Sequence, residues 1–145
     1  MTLLKHNLRY QPDSARLFAR IAQEPWAMFL DSGQPGSQYG RYDILVAAPF
    51  MTLVSAGAQT EIQRHGQQVS VSSEDPFALI KQAMQPYSAV PSDMPFTGGA
   101  VGYFGYDLAR RVEKLPDIAS NHDAISTLQI GIYDWAVVVD WLMVM

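Results

Sequence analysis

Two short runs separated by a loop carry the side chains best suited to hold a small polar molecule: Asp31-Ser32-Gly33 and Tyr39-Gly40-Arg41-Tyr42. A hydroxyl, a guanidinium and two phenols brought together there could bind a zwitterionic, aromatic compound, with Arg41 pairing its carboxylate and the rings stacking on its aromatic part. Asp43, Asp134 and Asp140 also stand out because they interrupt apolar runs. The simplest reading of each is a solvent-facing or strand-end position.

Other chemistries lack their parts. His6, His65 and His122 fall in terminal, turn and loop segments without the i, i+4 spacing of a helical metal pair, and read as solvated surface residues. Gly36-Ser37-Gln38-Tyr39-Gly40 does not match the Gly-x-Ser-x-Gly elbow of a serine hydrolase. Phe96 to Tyr106 packs four glycines and four aromatics into eleven positions. It has neither the Gly-Lys-Ser/Thr of a phosphate loop nor the Gly-x-Gly-x-x-Gly of a dinucleotide fold. Its glycines are read as letting a strand pass close to another backbone, with Tyr103, Phe104 and Tyr106 filling the space beside it.

The elements that must position these groups follow from periodicity and breakers. Asp13 or Ser14 caps a helix running to Ala22, with Leu17, Phe18 and Ile21 on one face and Pro25 closing it. Trp26 to Leu30 reads as a buried strand, Gly33 to Gly40 as a loop, and Arg41 to Ala48 as a second strand stopped by Pro49. Met51 to Ala56, Thr60 to Arg64 and Gln67 to Ser72, separated by Gly57 and His65-Gly66, read as a β-meander. Its imperfect alternation leaves open which face is buried. Asp75-Pro76 starts a helix whose Phe77, Ile80 and Met84 recur at helical spacing and which Pro86 ends. Tyr87 to Pro95 is a connector, Asp107 to Val112 a helical turn broken at Leu115-Pro116, and Leu128 to Val139 one last apolar strand.

Composition bounds the partners. The chain has 145 residues, 48% of them hydrophobic and 17% charged, with a net charge of −4 and no cysteine. A chain this long buries roughly 68–70% of the surface its unfolded form exposes and needs no covalent staple. Lacking cysteine, it has no thiol catalysis and no Cys-based zinc site. Its ten Lys plus Arg are scattered, so no basic footprint for nucleic acid forms. The charged fraction lies below the ~25% usual for soluble domains, a sign of surface normally covered. Lys5, His6 and Arg9 interrupt the N-terminal stretch before any signal-like apolar run, and no segment reaches the ~18 apolar residues of a membrane span. The expected setting is cytoplasmic, without membrane association.

Four blocks then identify a family. Pro25 to Gly33, Arg41 to Ile44, Pro95 to Leu108 and Gly131 to Trp135 together resemble, in order and spacing, the N-terminal region of the component I family of aminodeoxychorismate and anthranilate synthases. The Phe-Gly-Tyr-Asp-Leu and Gly-Ile-Tyr-Asp-Trp blocks favour the aminodeoxychorismate branch. The resemblance covers nearly the whole chain.

It implies an α+β fold, an α/β sandwich in which antiparallel sheets pack face to face with helices outside, and makes residues 1–145 a single incomplete domain. The chorismate-binding, magnesium-dependent portion would follow, and the family's catalytic and metal residues lie there. No catalytic or metal-ligating residue carries over, no cofactor is expected in this region, and the chain alone is expected to be inert. The parent enzyme would move an amino group, delivered as ammonia by a glutamine amidotransferase subunit, onto chorismate for 4-aminobenzoate and folate synthesis.

What carries over is the family's tryptophan site, structural or regulatory, onto Ser32, Tyr39, Gly40, Arg41 and Tyr42. Gly40 replaces a serine of the relatives, so any contact there comes from backbone. The apolar stretch Ala136 to Met145, without turn or polar tail, is expected to be cut from a larger body and to promote self-association. The alternatives are the corresponding region of anthranilate synthase with a feedback site, and a stand-alone amino-acid-binding or interaction module. Continuation or termination of the reading frame after Met145 separates the fragment from the module.

Overall fold

A computed structural model describes residues 2–87, 90–111, 113–114, 116, 120 and 124–144. In chain order the elements are α1 (Ser14–Phe18), β1 (Met28–Leu30), β2 (Tyr42–Val46), β3 (Met51–Ala56), β4 (Gln59–Arg64), β5 (Ser70–Ser72), α2 (Pro76–Met84), β6 (Gly99–Phe104), a 3-10 turn (Tyr106–Arg111), β7 (Leu128–Tyr133), β8 (Val137–Asp140) and a second 3-10 turn (Trp141–Val144). They form two compact units. The first comprises Met1–Pro49, Tyr87–Gly99 and Tyr133–Met145; the second comprises Phe50–Pro86 and Ala100–Ile132. Each is built around an antiparallel sheet, which makes the fold α+β as expected.

In the first unit, β2 is the central strand of a three-stranded sheet ordered β1-β2-β8. Phe29 lies opposite Leu45, Ile44 opposite Val138, and Tyr42 opposite Asp140. A strand paired on both sides tolerates little polar surface, and Leu45 and Val46 are buried accordingly. Asp13 caps α1 by accepting from the Arg16 amide at 3.1 Å. The helix stops at Phe18, short of the expected Ala22. Beyond it the amides of Arg20, Ile21 and Glu24 each reach back only three residues, tightening the chain into turns. Phe18 stacks on Phe29 with ring centroids 5.5 Å apart, tying α1 to β1. Trp26 at φ 55° and Ala48 at φ 48° are left-handed, so both strands of this pair end sooner than their apolar runs suggest.

The second unit is a five-stranded sheet ordered β5-β4-β3-β7-β6. The meander is present, and register settles its buried face. Met51, Leu53 and Ser55 of β3 lie opposite Ile132, Ile130 and Leu128 of β7, and these side chains form one buried layer. Leu79 and Ala83 of α2, spaced one turn apart, cover that layer together with Leu108. The face of α2 differs from the expected stripe: Ile80 and Met84 flank the core, while Phe77 is exposed and stacks on Phe104 at 5.3 Å. Within the layer the Ser55 and Thr60 hydroxyls satisfy each other at 2.7 Å.

The expected single strand over Leu128 to Val139 is two strands, β7 and β8, in different sheets, broken at Asp134 to Ala136. The break opens on Asp134, but one charged residue within an apolar run also fits a single continuous strand, so hydropathy alone does not place it. A Cβ at Gly102 would overlap the Gln129 carbonyl, which supports the close-approach reading of the glycine-rich run. Its aromatics do not fill the interior, however. Tyr103, Phe104 and Tyr106 are exposed, Tyr106 at 94%. His6 and His65 lie on the surface. His122, Ser88, Val112 and Leu115 fall outside the described residues.

Candidate functional site

The start of β2 and its two neighbours in the chain gather most of the polar residues singled out by sequence. Asp43, second residue of β2, is only 1% exposed. A carboxylate so placed must be ionised and fully hydrogen-bonded or else neutral. Its Oδ1 accepts both the Ser32 amide at 2.9 Å and the Ser32 hydroxyl at 2.8 Å. Its Oδ2 accepts the indole Nε1–H of Trp141 at 2.9 Å. Burial pushes the carboxyl upward, but the Ser14 hydroxyl, the two Ser32 donors and the Trp141 indole outweigh it and hold the group below its ordinary 3.8. The Ser14 hydroxyl is buried at the start of α1 without a hydrogen bond of good geometry, so its contribution is that of a nearby dipole.

Asp43 therefore departs from its expected solvent-facing role, because it shares the buried face of β2 with Leu45 two residues on. Asp134 is exposed as expected. Asp140 sits at the end of β8 directly opposite Tyr42, and its carboxylate takes a bidentate pair from Arg41, Nε–H to Oδ1 at 3.0 Å and Nη2–H to Oδ2 at 2.9 Å. The hydrogen bond from Arg41 holds the Asp140 carboxyl low, and the same bond raises the guanidinium. Arg41 also lies over the Tyr42 ring at 4.5 Å. The pair with Asp140 uses two of the five N–H donors of the guanidinium.

Gly40 is held against Ser32: a Cβ there would overlap the Ser32 carbonyl oxygen. Only glycine lets the two runs approach this closely. Gln34 fastens the intervening loop, its Nε2 donating to the carbonyls of Ser37 and Gly40. Ser32, Gly40, Arg41 and Tyr42 are thus assembled in one place. Tyr39 is not among them; its side chain is 89% exposed.

Ser14, Asp43, Asp140 and Trp141 complete the cluster and were not assigned to it by sequence. The available signal was a lone carboxylate inside the apolar run Tyr42 to Ala48, which demands partners wherever it is buried. Chemically the cluster offers hydrogen bonds and an ion pair but no poised proton-transfer group. Both carboxylates are held acidic, which disfavours general-base work near neutrality, and the Ser32 hydroxyl donates to Asp43 instead of being deprotonated by a base. Among the described residues no group of three or more His, Cys, Asp or Glu could hold a metal ion.

No protein-family model matches the chain. It is 39% identical over 137 residues to aminodeoxychorismate synthase component 1 of Escherichia coli (strain K12), covering 92% of this chain and 30% of the relative. It is 33% identical over 129 residues to anthranilate synthase component 1 of Acetivibrio thermocellus, covering 87% and 26%. The crystal structure of anthranilate synthase component I from Streptococcus pneumoniae TIGR4 superposes with a TM-score of 0.60 at 20% identity, over 96% of this chain and 30% of that one. The chain spans about 30% of the length of the aminodeoxychorismate synthase relative it matches.

Proposed function

Because this chain belongs to the component I family of aminodeoxychorismate and anthranilate synthases and corresponds to its N-terminal region, we propose that it serves aminodeoxychorismate synthesis. The parent enzyme would aminate chorismate to 4-amino-4-deoxychorismate, using ammonia from a glutamine amidotransferase subunit, and so feed 4-aminobenzoate and folate formation. The observation that carries this is 39% identity over 92% of the chain to an aminodeoxychorismate synthase, against 33% over 87% to an anthranilate synthase. Magnesium of the parent enzyme is not assigned to these residues, and no step here passes through it. The chain by itself is expected to leave chorismate unchanged in a cytoplasmic setting.

The role of this region is to hold tryptophan at the start of β2. The arrangement supports this with a positive group for the ligand carboxylate on Arg41, a ring on Tyr42 and a hydroxyl on Ser32. Tyr39 would have to swing in from solvent to join them, and Gly40 would contribute backbone.

Two experiments test the reading. A chain extended to the length of the relatives, supplied with chorismate, magnesium and ammonium, should form 4-amino-4-deoxychorismate; accumulation of anthranilate instead would move it to the other branch. Titration calorimetry of the folded chain with L-tryptophan should give a binding signal that Arg41→Ala and Ser32→Ala abolish. Absence of binding to both the chain and its extended form would remove the ligand assignment. Self-association through exposed apolar residues belongs to the same proposal.

A further inference from the structure

We draw no further inference here: the strongest candidate, the exposed aromatic surface patch where Phe77 of α2 stacks on Phe104 at the end of β6, is an apolar face for which nothing in the structure shows what covers it.

Discussion

At the residue scale the decisive group is Asp43, a carboxylate whose burial is compensated by donors. Asp43→Asn keeps its shape but removes the charge and turns an NH2 toward the Ser32 amide or the Trp141 indole, neither of which can accept, so urea denaturation should show a loss of about 1–3 kcal/mol. The pH dependence follows from the direction of its shift. The folded chain holds this carboxyl below its ordinary 3.8, so folding favours the ionised form. The stability it contributes is present above about pH 4 and is lost as the pH falls through the lower folded value. Asp43→Asn should flatten the acid limb of a stability-against-pH curve, and an unchanged limb would show that other carboxylates govern it. Tyr133 supplies the alkaline counterpart. Burial pushes its phenol up to about 12 from 10.0, while its hydroxyl donates to the Trp26 carbonyl at 2.8 Å. Folding therefore favours the neutral form, and its contribution is full below pH 10 and lost as the pH rises through about 12. Tyr133→Phe should lose about 1 kcal/mol at neutral pH and shed that alkaline sensitivity.

At the element scale, the second unit depends on one layer shared by β3, β7 and α2. Leu53 is fully buried between Ile62 and Ile130 on the flanking strands, and Leu53→Ala should cost about 2–5 kcal/mol by lost burial and residual cavity. The glycine-rich strand acts by a different route. Gly102→Ala would set a methyl group against the Gln129 carbonyl and force β6 off β7. The expected result is lost hydrogen-exchange protection along β7 with the β3–β4 hairpin retained. Equal loss in both places would mean that the sheet unfolds as one cooperative unit. Phe77 and Phe104 stack on the surface beside these strands. Their double-mutant cycle should therefore report only the ring contact, about 0.5–1.5 kcal/mol.

At the scale of the whole molecule, large apolar side chains are exposed among the described residues, among them Leu142, Met143, Phe104 and Tyr106. The proposed self-association rests on these residues together with the charged fraction of 17%. Sedimentation velocity across a concentration series should show a weight-average mass rising above that of one chain, and Met143→Lys with Tyr106→Lys should lower it. A single invariant species at high concentration would count against it.

The sequence by itself determined the local order of this protein. Asp75-Pro76 starts α2, the meander turns fall at their glycines, and Gly102 admits a neighbouring backbone, because capping, left-handed turns and close approach act over a few residues. The four residue blocks pointed to the family for a similar reason: type and spacing along the chain are enough to match a pattern. Half of the candidate site was legible in the same way, through Ser32, Arg41 and Tyr42 at neighbouring strand ends. Only the tertiary structure decided that Leu128 to Val139 divides between two sheets, that Asp43 faces inward, and that Asp140 and Trp141 complete the site from about a hundred residues away. Period-two alternation tells which side chains share a face of a strand, but not which other strand lies beside it. The partner of a buried charge is set by that choice of neighbour.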